Sequence, residues 1–261
     1  MGLLLFLIGS ALGLGTEPAG TIGVVEKTGQ TIPSDVRCVN DRGQEFRLLD
    51  LVDRPTILSL VYYSCEHICP QLLSGLGQLI QSLGLDAKRD YRVITLSFDS
   101  EDTGREAALA RRNYTKPLGS GFPEEAWSFL VAAQGDIEKL TDALGFSYQK
   151  EEHGFTHPVI LAIIAPGGKI CRYVYASKYH YGVGYPVTFS KVDIEQSLRA
   201  AARGEIYGGA SSPLLFCFPH EPEGQVESLR LMRIAGWGTL VGLAFLFVYL
   251  VAGRKRPKES R

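Results

Sequence analysis

The segment Ser64–Gln71, SCEHICPQ, sets Cys65 and Cys69 four residues apart, directly ahead of a run with helical periodicity. At the mouth of a helix, residues spaced i and i+4 share a face, with Cα atoms about 6 Å apart. A disulfide tolerates that separation, and a single metal ion can bridge it equally well. A helix N-terminus favours thiolate, the form that attacks disulfides and ligates metals. Thiolate is also a soft donor, which selects copper(I) over hard cations. The plainer alternative is an inert disulfide, but it would close a very short loop and contribute little entropic stabilisation. Redox or metal chemistry is therefore expected of Cys65 and Cys69.

Two thiolates make an insecure metal site, so a third ligand is sought among the histidines. His157, in GFTHPV, stands at the start of a predicted strand, from which a loop side chain could reach the carboxyl edge of a sheet. Its ordinary alternative is a hydrogen-bonded strand-end histidine. His67 lies two positions from each cysteine, so on a helix it points away from their shared face. It reads as an exposed turn residue. His153 is a rival in the loop that carries His157, and His180 falls in a Tyr/Gly-rich segment with no assigned element. Cys38 and Cys171 sit within strand patterns and are expected to pack as small apolar residues. Cys217 precedes His220 by three residues; a transient metal contact or a mixed disulfide competes there with a linker thiol of no special role.

The elements that must position these side chains follow from periodicity. Val36–Val39 and Glu45–Leu48 flank an Asn-Asp-Arg-Gly turn and predict a β-hairpin. Pro55–Cys65 is a β-branched and aromatic run of buried-strand type. It leads straight into a helix predicted over Pro70–Leu83, where leucines recur at helical spacing and Gly84 supplies a stop. Tyr91–Asp99 predicts a second buried strand. Helices are expected over Glu106–Tyr114 and over Asp136–Leu144, the latter ended by Gly145. HPVILAIIAPGGKICRYVYA reads as two strands joined by a Pro-Gly-Gly turn, and Lys191–Ala202 as a last amphipathic helix. This order predicts an α/β layered fold with a partly parallel sheet, in which chemistry collects at the carboxyl ends of strands. Cys65 stands at one such end.

From about Gly20 to Tyr207 the chain resembles the Sco/SenC family, thioredoxin-like copper proteins linked to cytochrome c oxidase assembly. The resemblance is carried by CEHICP, by the strand TLSFDSEDT after the first helix, and by FTHPVILAIIAPGGK. It implies a central mixed β-sheet flanked by helices. It also implies one copper, as copper(I) or copper(II), held by the thiolates of Cys65 and Cys69 and the imidazole of His157. The implied role is a metallochaperone that takes copper from a donor protein and passes it to the copper A-bearing subunit of the oxidase. Family members commonly carry Asp-His-Ser around the histidine, where this chain has Thr156-His157-Pro158. Pro158 has no backbone donor and restrains His157 toward an extended conformation. The alternative is a thiol–disulfide reductase that keeps the oxidase copper-ligand cysteines reduced, using Cys65 and Cys69 as a redox pair without metal. Thioredoxin-type reductases generally have two residues between their cysteines, and this chain has three. A peroxidase fits paired thiols plus histidine less well, and a structural zinc site lacks an evident fourth ligand.

Both ends are apolar. Residues 1–19 are expected to act as a signal peptide, with a leucine-rich run of the right length but no basic residue before Lys27. Residues 20–206 form the expected copper-binding domain and 207–233 a juxtamembrane linker. Residues 234–253 carry no charge and are long enough, at about 30 Å of helix, to cross a bilayer. The tail, 254–261, holds five of the chain's basic residues, which belong on the cytoplasmic side. The soluble body is thus expected outside the cytoplasm, in the periplasm of a bacterium, anchored by its C-terminus in the inner membrane. Members of the family are often anchored at the N-terminus instead. With that tail set aside, the body is more acidic than the net charge of −1 suggests, which argues against a nucleic-acid partner.

Overall fold

The computed structural model describes residues 22–176 and 187–208. The chain divides after Gly208, and residues 209–261, with the expected span at 234–253 and the Cys217/His220 pair, lie outside the described residues. So do the expected signal segment and His180. Among the described residues no helix is long and apolar enough to cross a membrane.

The elements run β1 (Gly23–Val24), β2 (Arg37–Asn40), β3 (Glu45–Arg47), the single turn α1 (Leu48–Leu51), β4 (Thr56–Val61), α2 (Ile68–Ser82), β5 (Arg92–Ser97) and α3 (Gly104–Thr115). They continue with β6 (Trp127–Val131), α4 (Gln134–Leu144), β7 (Phe146–Ser147), β8 (Gln149–Glu151), β9 (Gly154–Thr156), β10 (Ile160–Ile164), β11 (Ile170–Tyr175) and α5 (Lys191–Ala201). Seven strands form one mixed sheet in the order β11-β10-β4-β5-β6-β2-β3. Its centre, β4, β5 and β6, is parallel, and β10 joins β4 antiparallel. Every residue of β4 and β10 is buried, the signature of strands covered on both faces. α3 packs on β6 and against α2, while α5 lies on β10 and β11.

The expected α/β architecture with a mixed sheet is present, and each predicted helix is found with its ends within two residues of the prediction. Three features differ. β6, a five-residue run WSFLV, is too short for its apolar character to tell strand from helix in the sequence. The two-residue pair β1–β7 and the β8–β9 hairpin carry no clear period. The hairpin matters most, because it delivers His157.

α2 also begins at Ile68, three residues after Cys65, with His67 as its N-cap. Cys65 is therefore in the turn that follows β4, and only Cys69 is helical. The two thiols are brought together by the folding-back of that turn and not by a shared helix face. Ile68–Ser82 is helical because its buried residues, among them Cys69, Leu72, Leu76 and Leu79, recur on one side against the sheet.

Candidate metal centre

Cys65 and Cys69 are both buried, at 7% and 2% exposure, and both are free thiols. The backbone N–H of Cys69 donates to Cys65 Sγ at 3.5 Å, as expected where a helix N-terminus meets a thiolate. A hydrogen bond from the Cys69 thiol, opposed by burial and assisted by the Tyr62 hydroxyl and backbone N–H groups, brings the Cys65 pKa down to about 4. Burial pushes Cys69 well above the usual thiol range, and its hydrogen bond to Cys65 pushes the same way. The pair is thus split into one thiolate and one thiol.

His157 arrives from the other side, in the connection between β9 and β10. Its Nε2 stands 3.6 Å from Cys69 Sγ. Its Nδ1 lies 3.0 Å from the Pro158 carbonyl, so Nδ1 carries the proton and Nε2 turns its lone pair toward the thiol. Burial lowers the His157 pKa, which keeps the ring neutral and able to ligate. The burial comes from aromatic rings: Phe98 at 5.0 Å, Tyr62 at 5.8 Å and Phe146 at 6.3 Å between centroids. Pro158, an odd neighbour for a ligand in the sequence, turns out to supply the carbonyl that orients the imidazole.

The rival histidines separate cleanly. His67 and His153 are exposed, His153 at the tip of the β8–β9 hairpin. Cys38 and Cys171 are buried within β2 and β11, where burial raises both thiols, Cys38 to about 12, and leaves them as packing residues. Among the described residues no three His, Cys, Asp or Glu side chains are already closed into a metal cage. Cys65, Cys69 and His157 instead form a hydrogen-bonded chain of one thiolate, one thiol and one neutral imidazole. That donor set is soft on two sides and nitrogenous on the third, which fits copper(I) and tolerates copper(II).

Two contributors were not evident from spacing. Asp102 accepts from the Tyr63 backbone N–H at 2.6 Å and from Ser97 Oγ at 2.6 Å, which pins the turn leading to Cys65. Its pKa is raised by burial, with those two hydrogen bonds working in the opposite direction. The second contributor is the ring cluster of Tyr62, Phe98, Phe146 and Phe155, whose members come from four separate elements or turns. The thiols open onto a narrow cleft of about 90 Å³ between the start of α2 and α3, bordered by Tyr63, Pro70, Leu109, Asn113 and Tyr114.

A family model for SCO1/SenC proteins matches residues 25–180. The chain belongs to the SCO1/SenC family. Among solved structures, this SCO1/SenC chain is similar to a protein of Aquifex aeolicus VF5 assigned to electron transfer, with 30% identity and a TM-score of 0.56 over 70% of this chain and 99% of that one. A second Aquifex aeolicus VF5 protein, assigned to electron transport, is 28% identical with a TM-score of 0.54, over 68% of this chain and 99% of that one. BsSco, a member of the Sco family of cytochrome c oxidase assembly proteins in which a disulfide switch was identified, shares the fold at 19% identity and a TM-score of 0.50. That alignment covers 70% of this chain and 98% of BsSco. No curated protein gives a significant match.

Proposed function

We propose that the protein is a membrane-tethered copper metallochaperone that holds one copper through Cys65, Cys69 and His157. It receives the metal from a donor protein and delivers it to the copper A site during cytochrome c oxidase assembly. The observation that carries this is the approach of His157 Nε2 to Cys69 Sγ, 3.6 Å apart with the lone pair turned inward. A thiol pair working only by disulfide exchange has no use for a neutral, oriented imidazole. Delivery proceeds by ligand exchange, since client thiolates and imidazoles are the same donor types and can replace these three one at a time. The apolar segment 234–253 anchors the chain in the inner membrane, with its folded body on the periplasmic side. Such a tether raises the effective concentration at a client fixed in the same membrane.

The split between Cys65 and Cys69 also favours a second reading, a thiol–disulfide reductase acting on the client's copper-ligand cysteines. A ready thiolate beside a protonated resolving thiol is the arrangement that exchange chemistry uses. The two are separated by mixing the copper(I)-loaded protein with a reduced, metal-free copper A domain. Growth of the copper A absorption with loss of copper from the donor is the expected result. Reduction of an oxidised copper A domain by the metal-free protein, with no copper transferred in the first experiment, would favour the reductase.

A further inference from the structure

The thiols open onto the cleft between the start of α2 and α3, and its two walls differ in charge. α2 carries no charged residue along its 15 positions, and Pro70 and Leu73 line the cleft from its side. α3 is different. Leu109 and Asn113 stand where its cleft-lining side turns outward, and Leu109 is 49% exposed. Arg105, Arg112 and Lys116 lie on that outward stripe, at i−4, i+3 and i+7 from Leu109, and all three are exposed. Arg111, on another side of the helix, is taken up by Asp41 and Glu124. The three outward cations make no such ion pair among the described residues. The nearby acids are Glu66, exposed in the turn that carries the thiols, and Glu106, whose carboxylate is held by Thr103 in the capping box. The chain outside its basic tail is net acidic, so this positive stripe runs against the charge of the body around it.

We propose that the outward stripe of α3, Leu109 flanked by Arg105, Arg112 and Lys116, is the docking surface for an acidic face of the client, which brings a client cysteine into the cleft toward Cys65 and Cys69. This rests on the delivery reading given above and adds where the client binds. Thiols as buried as these meet a second protein only at the mouth of their cleft, so the surface beside that mouth falls within the contact area. Charge complementarity fixes the kind of partner. Three cations with no ion-pair partner of their own match an acidic surface and repel a basic one. Their field also speeds encounter with such a partner, and salt screens it. Leu109 places an apolar contact among the charges, in the pattern of an interface with an apolar centre and a polar rim. An anionic bilayer would match the same charges, but a face laid on lipid would cover the cleft and shut the thiols off from any client.

The test uses the full-length chain in detergent, loaded with copper(I) and mixed with a reduced, metal-free copper A domain, with the second-order rate constant of delivery read across a salt series. The wild-type rate should fall as salt rises. The double variant Arg105→Glu, Arg112→Glu should deliver about tenfold more slowly at low ionic strength, and the difference should close near 1 M salt, where the screening length is about 3 Å. Leu109→Ser should slow delivery roughly threefold or more at every salt concentration, as loss of an apolar contact does. Equal rates for the wild type and the arginine variant, both retaining copper and a native circular dichroism spectrum, would overturn the inference and leave the stripe to a second copy of the chain or to lipid. A wild-type rate indifferent to salt would overturn it equally. Should the wild type deliver no copper, the delivery reading fails, and thiol–disulfide exchange with an oxidised copper A domain decides in its place. Slower, salt-dependent exchange in the arginine variant then upholds the docking surface, and equal exchange, or none in the wild type, dismisses it.

Discussion

Cys69 carries one S–H between two acceptors, the Cys65 thiolate and the Nε2 lone pair of His157. Removing that one proton turns three hydrogen-bonded groups into three ligands. Copper(I) binding near neutrality should therefore release about one proton, and affinity should rise about tenfold per pH unit between roughly pH 6 and 8. The sign follows from the directions: Cys65 is already thiolate above about 4, His157 is neutral because burial lowers it, and Cys69 stays protonated because burial raises it. Calorimetry in buffers of different ionisation enthalpy counts the protons, and a release near two would contradict the split. The split also fixes reactivity in the metal-free protein. At pH 6 iodoacetamide should label Cys65 and leave Cys69 untouched, with Cys65 labelling falling only as the pH approaches 4. Peptide mass spectrometry reads this directly, and equal labelling of the two would be inconsistent with it. Both thiols were legible in the sequence from spacing alone. The contribution of Tyr62 and Phe98 was not, because rings that meet only after three strands have paired leave no local period.

Two turns set the precision with which the elements hold these groups. Gly145 closes α4 in the left-handed conformation at φ +60°, and a Cβ there would overlap the Val25 carbonyl. The next residue, Phe146, pairs with Val24 and lies against His157. Gly145→Ala should cost about 1–3 kcal/mol, from left-handed strain together with the displaced β1–β7 pair. Urea unfolding measures that cost, and a loss below about 0.5 kcal/mol, the scale of an ordinary surface change, would show that the pairing adapts without strain. At the start of α3, Thr103 and Glu106 form a capping box, and Thr103→Ala should cost about 1 kcal/mol in the same assay. The predicted stop at Gly145 was readable because glycine after a periodic run has a single common use. The start of α2 was not: the spacing predicts the helix from Pro70 with both cysteines sharing its face, yet it begins at Ile68 and leaves Cys65 in the turn after β4. The β8–β9 hairpin escaped notice because its strands are three residues each and Phe155 alone among them packs against the core, too little to set a period.

For the whole molecule, the mixed sheet explains why the site lies where it does. The parallel centre sends β4 and β5 in one direction, and the turns beyond their carboxyl ends supply Cys65 and Asp102. The antiparallel β10 runs the other way, so the residues preceding it, His157 included, meet those turns at the same edge. That convergence was foreseeable in outline from a strand–helix order with a returning hairpin, and the histidine's place at the start of β10 was its clue. The tether belongs to this scale as well. Full-length protein should stay with membranes through an alkaline carbonate wash, and a chain ending before residue 234 should be released from them. Release of the full-length chain would argue against the span.

The most direct test of the account is copper stoichiometry on the reduced chain, loaded anaerobically with copper(I) and desalted, beside Cys65→Ser and His157→Ala. One copper per chain is predicted for the wild type, lost in Cys65→Ser and weakly held in His157→Ala. No retained copper in the wild type, together with a Cys65–Cys69 disulfide that equilibrates with a client dithiol, would contradict the metal centre and leave a reductase in its place.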